Sequence, residues 1–146
     1  MLRPFSPADR AAYLQMAHDF YRSEAVDHTI PDSHLERTVD ALLDGSPFAA
    51  AYLLEADGKT AGYVLLALTW SQEGGGLTVW VDELYVLPEF RGQGLGSACF
   101  RELRALYPAA ARFRLELAPD NLRARALYER MGYQNLDYRQ MVQDFS

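Results

Sequence analysis

The stretch Val81-Asp82-Glu83-Leu84-Tyr85-Val86-Leu87-Pro88-Glu89-Phe90-Arg91-Gly92-Gln93-Gly94-Leu95-Gly96-Ser97 decides how the chain is to be read. Its first half is an apolar, β-forming run interrupted by two acids, and Pro88 ends it. Glycines then stand at 92, 94 and 96, and the stripe Leu95, Cys99, Leu103 and Leu106 marks a helix over residues 95–107. A glycine turn between strand and helix lets backbone N–H groups approach a ligand, and the helix adds its unpaired N–H groups and positive dipole end. An anion fits there, and a diphosphate fits best. The turn is not a Walker loop, because no Gly-Lys-Ser/Thr follows. Nor is it the dinucleotide fingerprint, because Ser97 stands where the third glycine belongs.

Upstream, residues 48–55 and 60–70 read as strands flanking Asp57-Gly58, a hairpin signal. A glycine-rich loop, residues 71–76, leads into the strand 77–87. Residues 2–5 read as extended. Ser6 as N-cap, Pro7 at the first helical position and Asp9 facing the positive end start a helix to about residue 23. It buries Leu14, Ala17 and Tyr21, with Tyr13, Met16 and Phe20 widening the face. After the loop 24–32, the capping box Ser33-His34-Leu35-Glu36 opens a second helix with Leu35, Val39, Leu42 and Leu43 on one face, stopped by Gly45 and Pro47. Downstream, residues 112–117 alternate as a strand. Asp120-Asn121 caps a helix over residues 122–131, closed by Gly132. Residues 133–136 and 138–142 read as two short closing strands. The element order gives one mixed α/β (α+β) domain over residues 1–146.

Composition bounds the function. Of the 146 residues 49% are apolar and 23% charged, an ordinary globular balance. The longest apolar run, residues 48–54, is far below the roughly 20 residues a membrane span needs. The first ten residues lack a signal core, so a membrane or secreted protein is not expected. The single cysteine, Cys99, allows no intrachain disulfide and no multi-thiolate zinc site; a reducing cytoplasm fits. His28 and His34, near Asp27 and Asp32, match no zinc spacing, and no metal is expected. The net charge of −6 argues against general nucleic-acid binding. Residues 1–90 hold 14 acids and 5 bases, whereas residues 91–146 hold 6 acids and 9 bases, a division suited to partners of opposite charge.

Strand and turn together resemble the central motif of the GNAT superfamily of N-acetyltransferases. That motif is a strand followed by Arg or Gln, two residues, Gly, one residue, and Gly or Ala, and Arg91, Gly94 and Gly96 hold those places. A second family motif is matched by Asn121, Ala124, Leu127-Tyr128, Gly132 and Tyr133, with Tyr133 where Phe is commoner. The element order agrees, so the resemblance covers essentially the whole chain. It implies a mixed, mostly antiparallel sheet of about six to seven strands flanked by about four helices. A V-shaped gap, helped open by a bulge, would separate the two central parallel strands, residues 77–87 and 112–117. Acetyl-CoA is the implied cosubstrate. Its diphosphate would meet the backbone N–H groups of Arg91, Gly92, Gln93, Gly94, Leu95, Gly96 and Ser97. Its pantetheine arm would pair with the backbone of Leu84, Tyr85 and Val86. Asn121 would contact the pantetheine or phosphate region, and Arg130 or another arginine of the basic half the 3′-phosphate.

The implied reaction is direct attack by an amine on the thioester. An alkylamine with pKa near 10.4 is only about one part in a thousand neutral at pH 7, so a carboxylate must take a proton. The thiolate that leaves needs one back, and a tyrosine hydroxyl can give it. Tyr128 matches the family's acid position, although helical spacing alone also allows a core tyrosine. Glu83 is preferred to Asp82 as base; strict alternation would place the two on opposite faces. Cys99 lies on a buried stripe and reads as an inert thiol. The acceptor would meet residues 20–43 and 71–76, where Glu24, Asp27, Asp32, Glu36 and Asp40 suggest an acidic wall for a cationic small molecule. A peptide or protein amine is the alternative acceptor, and a non-catalytic acyl-CoA-binding module the alternative of another class. Trp70 and Trp80 read as sheet-packing residues. The resemblance leaves homodimer formation open.

Overall fold

Among the described residues five strands form one sheet in the spatial order of the chain, β1 (Leu2–Pro4), β2 (Ala49–Ala56), β3 (Lys59–Ser71), β4 (Gly76–Val86) and β5 (Arg112–Leu115). The computed structural model describes residues 1–23, 25–26 and 28–145. β1 to β4 pair antiparallel, and β4 pairs with β5 in parallel. Among the described residues four α-helices accompany the sheet: α1 (Arg10–Phe20), α2 (Asp32–Leu43), α3 (Leu95–Leu106) and α4 (Leu122–Arg130). Among the described residues no helix is long and apolar enough to cross a membrane.

Each face of the sheet has its own core. On one, Tyr13, Ala17 and Phe20 of α1 and Leu35 and Val39 of α2 bury against Leu53, Tyr63, Leu65 and Tyr85. On the other, Cys99, Phe100 and Leu103 of α3 pack on Val64, Leu66, Val79 and Val81. Each fully buried Leu or Val contributes roughly 1.5–3 kcal/mol. The β2–β3 hairpin turns through Asp57 and Gly58 at φ 53° and 71°, the left-handed pair such a tight turn requires.

Two features of β4 create the functional geometry. Leu65 pairs with Glu83 while Leu66 pairs with Val81, so Asp82 is an extra, bulged residue. The bulge resets the alternation. Leu77, Val79, Val81, Leu84 and Val86 face α3, whereas Glu83 and Tyr85 face α1. In addition, β5 pairs only from Thr78↔Arg112 to Val81↔Leu115. β4 runs on to Val86, still paired with β3 but open toward β5.

Several expectations are corrected. Among the described residues the sheet has five strands, not six to seven: residues 133–136 and 138–142, expected as closing strands, have no ladder partner. Here Tyr138, Met141 and Val142 are 64%, 98% and 83% exposed. α1 ends at Phe20 rather than residue 23, and its start is a 3-10 turn, Pro7–Asp9, in which the Ser6 N–H donates to Asp9 Oδ2 at 2.9 Å. α2 begins at Asp32 with Pro31 before it, and Ser33 makes no cap. Trp70 is 74% exposed instead of packing on the sheet.

Candidate active site

Past Val81 the two parallel strands separate. The backbone edge of residues 82–86 thereby faces a gap instead of a neighbouring strand, and an extended ligand can pair with such an edge. The glycine turn closes one end of it. Gly92 and Gly94 have φ of 76° and 77°, which orients the turn toward α3, and the N–H groups of residues 92–97 have no hydrogen-bond acceptor among the described residues. The third glycine has a different cause: a Cβ on Gly96 would stand 3.1 Å from Leu127 Cδ2, so its smallness lets α4 dock. Arg91 differs from expectation. Its N–H donates to Pro88 O at 3.2 Å, its Nε donates to Val86 O at 2.8 Å, and its guanidinium stands 5.5 Å above the Tyr85 ring. The side chain therefore ties the turn to the strand end.

A cavity of about 340 Å3 lies where strand, turn and α4 meet. Leu84, Tyr85 and Val86 line one side, and Arg91, Gly92, Gly94, Leu95, Gly96 and Ser97 line the turn. Asn121, Tyr128 and Arg130 close it from α4. Gln93 does not line the cavity; its side chain turns to Glu89 O at 3.4 Å. Asn121 Oδ1 accepts the Ala124 N–H at 3.1 Å, so the residue also caps α4. Phe20, Ser23 and Ala25, which the sequence assigned to the acceptor region, also line this cavity from the end of α1 and just beyond it.

Tyr128 lies on the wall. Its ring meets Phe100 edge-on at 5.6 Å, and its hydroxyl has no hydrogen-bond partner among the described residues. Burial raises its pKa above the usual phenol value, so it stays protonated at neutral pH. Cys99 on the neighbouring stripe is fully buried and pushed up to about 12 by desolvation, an inert thiol.

Asp82 and Glu83 do not line that cavity. Glu83 is 8% exposed on the α1 side, and both its oxygens are held: Tyr21 donates to Oε2 at 2.5 Å and Tyr63 to Oε1 at 2.7 Å. Desolvation raises its carboxyl, the two phenols pull it down, Asp82 pushes it up again, and the net direction is upward. Asp82 meets solvent, yet crowding by protein, then the Glu116 charge, raise its carboxyl as well. Neither acid has an ion-pair partner among the described residues.

Three acids of the expected wall have partners among the described residues. Arg10 pairs with both Glu36 and Asp40, the latter at 3.1 Å, and His18 stands 3.3 Å from Asp32. Glu24 and Asp27 lie outside the described residues. In the 71–76 loop, Glu73 is held by Arg112 at 3.0 Å and the Tyr138 hydroxyl at 2.8 Å. No group of His, Cys, Asp and Glu among the described residues gathers to hold a metal ion. A second, larger cavity of about 1060 Å3 lies between β5, α4 and residues 131–140, with Tyr128 on the wall it shares with the first.

Residues 13–133 match the family model described as the Acetyltransferase (GNAT) family. The chain belongs to the GNAT acetyltransferase family. It is 25% identical over 147 residues to the thialysine N-epsilon-acetyltransferase of Mus musculus, a match covering 92% of this chain and 84% of the relative. Among solved structures, the integron cassette protein HFX_CASS3 from the mobile metagenome of Cole Harbour Salt Marsh superimposes with a TM-score of 0.80 at 23% identity, over 99% of this chain and 90% of that one. The acetyltransferase AAC(6')-Iy, in complex with the bisubstrate analog CoA-S-monomethyl-acetylneamine, superimposes with a TM-score of 0.78 at 13% identity, over 100% of this chain and 98% of that one. Both structural likenesses concern the fold, a mixed sheet flanked by helices. The family makes the chain an acetyltransferase, and in this chain the family's central motif coincides with the glycine turn and the open strand edge.

Proposed function

We propose that this GNAT enzyme transfers the acetyl group of acetyl-CoA to a primary amine of a small cationic molecule, by direct attack without a covalent enzyme intermediate. The observation that carries the reading is the open edge of β4 beside six N–H groups, at residues 92–97, that no protein acceptor uses. In this reading the pantetheine arm pairs along Leu84 to Val86 and the diphosphate sits on the N–H groups of the turn, at the positive end of α3. Arg130, exposed at the cavity rim, meets the 3′-phosphate. The acceptor approaches from the α1 side. Its ammonium finds in Glu83 a buried carboxylate without a counter-charge, and Glu83 takes the proton that blocks attack. The amine lone pair then attacks the thioester carbonyl, the C–S bond breaks as Tyr128 gives its proton to the departing thiolate, and the surplus proton on the new amide nitrogen returns through water to the Tyr128 phenolate.

Two likenesses support a small amine. The Mus musculus relative is named for thialysine, and the AAC(6')-Iy complex carries an acetylneamine analog. The test is release of free CoA thiol from acetyl-CoA across polyamines, amino acids, amino sugars and short peptides, with a no-acceptor blank and mass analysis of products. Release with one class of cationic small amine, matched by its N-acetyl product, is expected. Release with peptides alone overturns the acceptor class. Tight acetyl-CoA binding without release from any well overturns the transfer.

A further inference from the structure

The environment of Glu83 is unusual for a residue in ordinary packing. A buried ionised carboxylate is costly unless a cation or several donors satisfy it. The charged and titratable groups that face it are Tyr13 from α1, Tyr21 just beyond α1, Tyr63 from β3 and Asp82 from β4. No Arg, Lys or His is among them within the described residues. Burial and Asp82 both favour the protonated acid, which is useless as a base. Only the two phenol donors oppose them.

The two donors are held differently. Tyr63 is fully buried in the middle of β3, its ring between Tyr13 at 4.8 Å and Tyr85 at 6.1 Å. It has no freedom to leave Oε1. Tyr21 follows the last residue of α1 and is half-buried, its ring edge-on to Phe20 at 5.2 Å. Phe20 in turn lines the cavity proposed for the cosubstrate. Tyr21 therefore stands at the accessible side of the carboxylate, where residues expected to meet the acceptor begin.

Resting on the acetyl-transfer reading above, we propose that Tyr21 and Tyr63 are positioning residues for Glu83: Tyr63 fixes the direction of its carboxylate, and Tyr21 keeps it ionised at Oε2, the oxygen that receives the acceptor's ammonium. Each carboxylate oxygen has two acceptor lone-pair sites, so Oε2 takes an ammonium N–H while Tyr21 remains bound. The proton then moves from nitrogen to Oε2, the nitrogen lone pair is freed for the thioester carbon, and the carboxylic acid formed returns its proton to water after the product leaves. The clamp also favours a cationic acceptor over a neutral one, because the charged side chains that face the site among the described residues are carboxylates, Glu83 and Asp82, with no cation beside them.

The test uses Tyr21→Phe, Tyr63→Phe and the double variant, with two readouts. One is the titration of Glu83 in the free protein, followed by NMR of carboxyl-labelled glutamate, with Glu83→Gln assigning the signal. The other is the pH profile of kcat/KM. Removing a donor to the ionised form raises the titration midpoint of Glu83, by about one unit per phenol given typical hydrogen bonds to charged groups. The acidic limb of kcat/KM moves up by the same amount. Above that limb, Tyr21→Phe recovers to near wild-type rate, whereas Tyr63→Phe keeps a deficit of about tenfold because the carboxylate is no longer aimed. A Glu83 midpoint unmoved in folded variants overturns the proposal, as does a loss of rate equal at every pH. If Tyr63→Phe does not fold, the half-buried Tyr21→Phe decides by itself. A shifted midpoint in a protein that acetylates no amine leaves the clamp standing and refutes only the transfer reading.

Discussion

Replacing Tyr128 by Phe removes a single oxygen atom. The ring contacts with Phe100 at 5.6 Å and Tyr133 at 6.1 Å remain, and no hydrogen bond among the described residues is lost. The stability change is therefore expected below about 1 kcal/mol, and for a domain of this size that is a melting shift of roughly 2–5 °C. If the hydroxyl protonates the leaving thiolate, its loss costs a general acid, about 100-fold in kcat or roughly 2.7 kcal/mol of barrier. Thiol release gives kcat, titration calorimetry gives the acetyl-CoA affinity, and thermal unfolding gives stability. A large fall in kcat with affinity within about twofold is expected, since the removed interaction acts only in the transition state. Because burial raises the Tyr128 pKa above 10, the acid form is lost only above that pH; the wild-type alkaline limb belonging to Tyr128 lies beyond it. A kcat within about threefold of wild type would refute the assignment, as would a fall that merely follows weakened acetyl-CoA binding.

Three further outcomes follow from the geometry. Glu83→Gln removes the base and is expected to lower kcat/KM by about 100-fold or more and to abolish the acidic limb, which in wild type lies above 4.5 because burial raises the carboxyl; steady-state pH profiles check this. Gly94→Ala meets no neighbour within 4 Å, so its cost is the φ of +77°, about 1–2 kcal/mol of backbone strain; it should raise the KM for acetyl-CoA more than it lowers kcat. Arg3 holds the Asp9 carboxyl through two 2.9 Å hydrogen bonds and depresses its pKa to about 2 from 3.8. That depression stabilises the fold above the unfolded pKa and is lost as pH falls toward 2. After allowance for solvent at the partly exposed Arg3, Asp9→Asn should cost about 1 kcal/mol at pH 7 and almost nothing near pH 2, as denaturant melts at both values will show.

Local periodicity made much of the fold legible. The apolar run into Pro88, the alternating glycines and the Leu95-Cys99-Leu103 stripe correspond to β4, the turn and α3, because each pattern reports a face buried by its own element. Asp57-Gly58 made the hairpin, since the turn demands the left-handed conformation those residues tolerate. The motif residues of the turn and α4 converge on one cavity, except Gln93, which turns away, and Gly132 and Tyr133, which line the larger cavity. What escaped was non-local. The resemblance implied a bulge, but strict alternation gave no sign that Asp82 is the extra residue, or that Glu83 consequently joins Tyr21 and Tyr63 from distant elements. The partner that Arg10 provides for Glu36 and Asp40 also escaped, because it stands 26 and 30 residues away. Residues 138–142 read as a closing strand, but local composition describes one segment, and a ladder requires two.

Two cavities share the Tyr128 wall, and the chemistry described here requires CoA to occupy the smaller one. Backbone amide NMR during titration with CoA distinguishes them directly. The expected result is saturable shifts in residues 84–86 and 92–97, the strand edge and the N–H groups of the turn. Shifts confined to residues 112–117 and 131–140, around the larger cavity, would contradict it.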